Sequence, residues 1–331
     1  MAHSTVYALD VEQPSSAGAL PYPIEAAAQW AGRAPPLARD WIIEDLALAA
    51  GRVTSFMANG GFGKTTIAIQ LAVSVSRSKP IFDKEVRGGT VVGIFCEDEQ
   101  HEIERRVRAE CSAAGIDLET LDNLHLLSRD GEDNVLCTFS RDLIVLTPHY
   151  WRVDATLAQL KPRLLIIDTA ADVFACEFNS TPHVRQFIKV ALGGLCNRHG
   201  TAVLLVAHPS STGINSGDGA GFSTAWHNSV RSRLFLRRPK SEDAAAIADR
   251  RVLEIKKSNY GPTGGCIPLI YDRGGFILDT DPIEETAATV KLRKTDTRLA
   301  NVRIASRRML PNGVVASPEM LPVRAHATMM P

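Results

Sequence analysis

Residues 53 to 72 read Val-Thr-Ser-Phe-Met-Ala-Asn-Gly-Gly-Phe-Gly-Lys-Thr-Thr-Ile-Ala-Ile-Gln-Leu-Ala. A glycine-rich turn followed by a lysine and two hydroxyls has the chemistry of a phosphate-binding loop. Gly60, Gly61 and Gly63 let the backbone of the turn, with Asn59 and Phe62 between and before them, point its N–H groups inward without Cβ clashes. Lys64 has the length to reach β and γ phosphates, and Thr65, followed by Thr66, offers a hydroxyl to Mg²⁺. ATP and Mg²⁺ are therefore the expected ligands. Ala58 stands where the full G-x-x-x-x-G-K-[ST] pattern has its first glycine, so the reading rests on context. The apolar run Val53–Met57 predicts a strand before the turn, and Ile67, Leu71 and Val75 recur at helical spacing after it. A helix from Thr65 presents its positive N-terminal end to the same anion. A purely structural glycine turn is the alternative.

Other strand-like runs end in groups that could act on such a ligand. Arg163-Leu-Leu-Ile-Ile-Asp-Thr-Ala ends an apolar strand in Asp168, the place of the acid that orients Mg²⁺ through its water shell on the strand beside a phosphate loop. The alternative is a helix-capping aspartate. Thr90-Val-Val-Gly-Ile-Phe-Cys delivers Glu97, Asp98 and Glu99 to the carboxyl end of a strand, where parallel sheets bind ligands. Glu97, the first out, is the candidate to orient or deprotonate an attacking water. Asp98 and Glu99 could equally cap the helix expected from Glu102 to Ala114. Ala202-Val-Leu-Leu-Val-Ala ends at His208, a candidate sensor of the γ phosphate, with a structural histidine as the alternative. Arg231 and Arg233 are two apart on a strand or its entry and so face one side. Either an arginine that neutralises transition-state charge or a solvated edge fits that spacing.

These groups need a scaffold that brings several strand ends together. Strands are expected at Val53–Met57, Thr90–Cys96, Asn123–Leu127, Leu164–Ile167, Ala202–Ala207, Ser232–Leu236, Leu253–Lys257 and Gly275–Leu278. They alternate with helical patterns, which is the signature of an α/β fold with a mostly parallel sheet flanked by helices, the last strands being antiparallel additions. Residues 1–40 read as an irregular N-terminal arm, with Pro14, Pro21, Pro23, Pro35 and Pro36 among small residues. Trp41-Ile42-Ile43 is expected to pack on the core edge, and 41–282 to form one nucleotide-binding domain. Residues 283–331 form a basic tail carrying Lys291, Arg293, Lys294, Arg298, Arg303, Arg307, Arg308 and Arg324.

The 331-residue chain is 45% hydrophobic and has a formal net charge of zero. That composition is globular, and no global field draws it to a polyanion, so nucleic acid must be met by a local patch. The six cysteines show no C-x-x-C spacing. Reduced thiols in a cytoplasmic protein are expected rather than a zinc site or a disulfide framework. No stretch approaches the roughly 20 apolar residues that span a bilayer.

Taken together, the motifs resemble the RecA-like core of the DnaB-type hexameric helicases, and within it the RepA-like plasmid and phage replication ATPases, AAA-family ATPases in broad naming. The resemblance runs from about Trp41 to Phe276. It rests on Gly-Gly-Phe-Gly-Lys-Thr at 60–65, Cys-Glu-Asp-Glu at 96–99 with Arg105-Arg106 beyond it, Leu-Leu-Ile-Ile-Asp-Thr at 164–169 and Ala-His-Pro-Ser at 207–210. Ala-Trp-His-Asn-Ser-Val-Arg-Ser-Arg at 225–233 and Lys-Lys-Ser-Asn-Tyr-Gly-Pro at 256–262 are its most specific parts. The resemblance implies that Lys64 and Thr65 bind phosphate and Mg²⁺, that Asp168 is the Walker B acid and that Glu97 is the catalytic base. Arg231 is implied as an arginine finger entering a neighbouring subunit's site, Arg106 as a stacking partner of adenine, and Lys257 as a contact to a phosphate across the subunit border. A homo-oligomeric ring, a hexamer in this family, follows. Single-stranded DNA is implied in its central channel against loops at about 173–182 and 210–225, the latter containing Asp218.

Two other classes share the same residues. A phosphotransferase would place an acceptor pocket and lid where the loops lie, and would not need Arg231 from a neighbour. A nucleotide-gated recombination or partition factor would assemble on DNA without unwinding it.

Overall fold

The computed structural model describes residues 24–210, 223–241 and 243–281. Two short strands, β1 (Trp41–Ile43) and β2 (Leu48–Ala49), pair antiparallel and are buried. The main elements follow in order: β3 (Val53–Ala58), α1 (Lys64–Arg77), β4 (Val91–Phe95), α2 (Gln100–Ala114) and β5 (Leu124–Ser128). A hairpin of β6 (Cys137–Ser140) and β7 (Leu143–Leu146) leads to α3 (Pro148–Leu160), β8 (Leu164–Asp168) and the single turn α4 (Ala170–Val173). A helical stretch then comprises α5 (Thr181–Gln186), a π-helical segment (Phe187–Leu192) and α6 (Gly193–His199). Beyond it lie β9 (Ala202–Ala207), α7 (Thr224–Ser229), β10 (Ser232–Arg237), β11 (Arg250–Ser258), β12 (Cys266–Asp272) and β13 (Gly275–Leu278).

Nine strands form one sheet in the order β13-β12-β11-β10-β3-β9-β8-β4-β5. From β10 to β5 every pairing is parallel, and β11, β12 and β13 add on antiparallel. The central strands are apolar on both faces because helices cover both. In β9, Ala202, Leu204 and Val206 enter one core with Phe56 and Ile67, while Val203, Leu205 and Ala207 enter the other with Tyr150 and Trp226. The Val, Leu, Ile and Phe among these side chains contribute about 1.5–3 kcal/mol each on burial, so the two cores hold the sheet from both sides. Local signals set the helix starts: the Thr147 hydroxyl accepts from the Tyr150 N–H, with Pro148 in the first turn of α3.

The α/β architecture is the expected one, and the strands agree closely with the sequence reading, the largest shift being at β11, which begins at Arg250 rather than Leu253. β12 and the β6–β7 hairpin were not expected. Pro268 reads as a strand breaker, yet within β12 it sits opposite Val252 and its carbonyl accepts from the Asp279 N–H, so only its missing donor is lost. A second correction concerns β8, which is not beside the strand of the glycine-rich loop: β9 lies between them. Trp41, Ile42 and Ile43 do pack into the core. Of the N-terminal arm, residues 24–40 are exposed and carry one 3-10 turn, Ala27–Trp30. The basic tail at 283–331 and most of the loop at 210–225, with Asp218, lie outside the described residues.

Candidate active site

Four parallel strands end together, and each carries one of the candidate groups. β3 runs into the glycine-rich loop, β9 into His208, β8 into Asp168 and, past Cys96, β4 into Glu97. Register places them at one level, with Met57 opposite Ala207, Val206 opposite Asp168 and Asp168 opposite Phe95.

The loop turns through Gly61 and Gly63, whose φ values of 70° and 92° are left-handed. The first helical bond of α1 is Ile67 N–H to the Gly63 carbonyl, 3.0 Å, so the N–H groups of Lys64, Thr65 and Thr66 have no partner inside the helix. Lys64 is 7% exposed. Its Nζ lies 3.3 Å from the Asn59 carbonyl and 3.4 Å from His208 Nδ1. Burial pushes the Lys64 ammonium below its ordinary value, against the pull of Asp168 and Glu97. An ammonium only donates, so His208 Nδ1 accepts and the ring proton sits on Nε2, which faces Glu97 Oε1 at 4.0 Å. His208 thus spans the gap between lysine and glutamate. Its pKa is lowered by burial and then by Lys64, which keeps it neutral near pH 7.

Although β9 separates the two strands, α1 brings Thr65 over the end of β8, and its hydroxyl donates to Asp168 Oδ2 at 2.6 Å. Asp168 is 3% exposed, and its Oδ1 is buried with no hydrogen-bond partner. Burial raises its pKa to about 6. A buried carboxylate with an orphaned oxygen beside a threonine hydroxyl has the hard oxygen chemistry that Mg²⁺ and its waters satisfy, so the residues fit that ion. Asp168 does not cap α4: that place belongs to Thr169, whose hydroxyl accepts from the Ala171 N–H. Thr169 also donates to Asp172 at 2.9 Å and lies 3.4 Å from Glu97 Oε1. Glu99 occupies the N-cap position of α2 without a capping bond, and Asp98 is engaged by Arg106 at 2.7 Å.

Arg106 is pinned by Asp98 and by Glu102, 2.9 Å away, which holds its guanidinium next to the acidic loop. Arg231, Arg233 and Lys257 lie elsewhere. Ser232 pairs with Thr54 at the start of β3, and Leu236 with Ala58 at its end, so Arg231 sits at the opposite end of the sheet from Lys64. Four residues of strand put roughly 13 Å between those levels. The two arginines have different surroundings: Arg231 precedes β10 and is exposed, whereas Arg233 is 5% exposed and pairs in register with Lys257. Lys257 donates to the His227 carbonyl at 2.7 Å, and its pKa is lowered by burial and by Arg231, Arg233 and Lys189. That concentration of positive charge suits an anion.

Three residues of the loop's surroundings carry no local signal in the sequence. Arg251 donates to the Phe62 carbonyl, Phe276 packs on Gly63, and Gln70 binds the Phe276 backbone. Arg251 and Phe276 reach the site only through pairing of distant segments, and Gln70, on α1, takes part through its bonds to Phe276.

Residues 21–213 match the family model described as an AAA domain. A search of curated proteins finds no match for the chain. Among the described residues, no helix is long and apolar enough to cross a membrane.

Proposed function

We propose that this chain, which belongs to the AAA domain family of P-loop ATPases, hydrolyses ATP with Mg²⁺ as an oligomer that acts on single-stranded DNA, as a replicative-type helicase or translocase of the cytoplasm. The observation that carries the reading is the convergence of Lys64, Thr65, Asp168, Glu97 and His208 on one end of the sheet, with Arg231 at the other.

In this reading the amides of Asn59, Gly60, Gly61, Phe62, Gly63, Lys64, Thr65 and Thr66 cradle the phosphates, and Lys64 neutralises the β and γ oxygens. Thr65 and Asp168 would hold Mg²⁺, which when bound would offset the charge of the phosphates. Glu97 orients the attacking water and takes its proton. His208, lying between Lys64 and Glu97, senses the γ phosphate. Arg106, held flat by its two carboxylates, offers a face to adenine.

Arg231 is too far along the sheet to serve its own Lys64, so a role in catalysis requires a neighbour. An exposed arginine beside Lys257 and Lys189 supports insertion of that cationic edge into the next subunit's site, which is a ring or filament arrangement. A ring, hexameric by resemblance, would carry DNA past the loop at 173–182. Steady-state hydrolysis measured against protein concentration, with and without single-stranded DNA, tests this in wild type and Arg231→Ala. Turnover per subunit that rises with concentration, responds to DNA and collapses in the variant is expected. Turnover indifferent to all three would sink the shared-site reading and leave a phosphotransferase.

A further inference from the structure

The antiparallel strands at the sheet's edge do more than extend it: they grip the glycine-rich loop from behind. Arg251, in β11, is 7% exposed, and its guanidinium is held by backbone carbonyls. Nε donates to the Phe62 carbonyl at 3.1 Å, and Nη1 to those of Ala248 at 2.8 Å and Arg250 at 2.7 Å. The same guanidinium lies 5.1 Å from the centre of the Phe62 ring, and that of Arg238, just past β10, lies 5.2 Å from it. Next along the chain, a Cβ at Gly63 would collide with the ring of Phe276, so that ring is seated directly on the glycine. Phe276 is itself fixed by Gln70 of α1. The Gln70 amide donates to the Phe276 carbonyl at 3.1 Å and accepts from its N–H at 2.9 Å, copying one rung of a β ladder. The contacts close a circle from α1 through β13 to the loop and back to α1.

Peptide geometry gives this grip a direction. In a trans peptide the carbonyl and the following N–H point in opposite directions, and the bond from Phe62 to Gly63 is trans. Holding the Phe62 carbonyl toward Arg251 therefore turns the Gly63 N–H to the side away from Arg251. We propose that Arg251 is a positioning residue for the nucleotide: by holding the Phe62 carbonyl it aims the Gly63 N–H at a phosphate, with Phe276 blocking the alternative tilt of that peptide. The hydrogen bonds of the guanidinium go to carbonyls, while the Asp249 carboxylate acts on its charge electrostatically. Such buried charge is costly, and a site that gains from it explains its presence.

This inference rests on the ATP-binding reading above. The test is titration of the full-length protein with a fluorescent ATP analogue and Mg²⁺, together with steady-state kinetics, for wild type, Arg251→Met, Arg251→Ala and Arg251→Lys. Arg251→Met should weaken nucleotide binding about tenfold, the weight of one hydrogen bond to a charged group. Turnover at saturating ATP should stay within about threefold, because the contact is made in ground state and transition state alike. Arg251→Lys, which still donates to the Phe62 carbonyl, should recover part of the affinity. A merely structural arginine would lower the melting temperature without this split between affinity and turnover. Should Arg251→Met fail to fold, Arg251→Ala, which leaves the Phe62 carbonyl to water, takes its place. Wild-type affinity in a folded variant that lacks the donor overturns the inference alone, whereas a wild type that binds no nucleotide overturns the ATP reading and this one with it.

Discussion

The Thr65 hydroxyl and the Asp168 carboxylate meet at 2.6 Å across an intervening strand, and the second carboxylate oxygen is buried with nothing to accept from. The pair is poised for a cation and costly without one. Between the ordinary value of 3.8 and about 6, the folded protein holds a proton that the unfolded chain has released. Stability therefore falls as pH rises through that window, and the deficit is complete above it. Asp168→Asn should abolish hydrolysis and yet stabilise the metal-free protein at pH 8, by up to about 3 kcal/mol for a shift of two units. Melting curves at pH 4 and pH 8 check this. A variant that gains nothing at pH 8 relative to pH 4 would contradict the burial argument.

Glu97→Gln keeps the shape of the strand end and removes the proton acceptor. ATP binding should remain within about twofold while single-turnover hydrolysis drops by about 10²–10⁴, the usual range for a general base. Loss of binding and hydrolysis in equal measure would place Glu97 among the binding groups instead.

Arg231 and Lys64 occupy opposite ends of one sheet, so if Arg231 serves a neighbour as proposed, their losses should complement between subunits. Arg231→Ala alone should lower turnover by about 10³ or more, the scale of an arginine finger. Mixing it with an inactive Lys64→Ala partner should restore activity, since some borders then combine an intact loop with an intact arginine. Activity that stays at the sum of the two separate variants would indicate sites complete within one chain.

His208 has its pKa lowered, so its ring is neutral at pH 7 and protonates only below its ordinary 6.5. Protonation turns Nδ1 from an acceptor for Lys64 into a donor facing it. Turnover should therefore decline on the acid side of that value, and His208→Gln, which cannot titrate, should flatten that limb. Rate profiles from pH 5 to 8 for the two proteins make the comparison, and coincident limbs would assign the titration to another group.

The positions of these groups were legible wherever a local pattern ended in a polar residue. The runs before Asn59, Glu97, Asp168 and His208 are apolar on both faces, and chain direction alone puts their carboxyl ends at one edge of a parallel sheet. The order of strands was not legible from proximity in sequence, which is why β9 was missed as the neighbour of β3. Pro268 hid β12, since its effect depends on which neighbour would have received its hydrogen bond. Arg251 and Phe276 were hidden more deeply. Their partners, Phe62 and Gln70, lie 189 and 206 residues away, and only the folded sheet edge brings the pairs together.

The strand β3 has β9 on one side and β10 on the other, and all six of its residues are buried. The segment that carries the family match stops at residue 213, before β10 begins. A protein trimmed to that match would keep every residue of the phosphate loop and still uncover the flank of its central strand, a row of unpaired amides and carbonyls framed by Phe56, Met57 and Ala58. Such an open flank is a template for other chains. In practical terms, a fragment intended to fold is expected to need the sheet through Leu278, and shorter ones are expected to be recovered as aggregates.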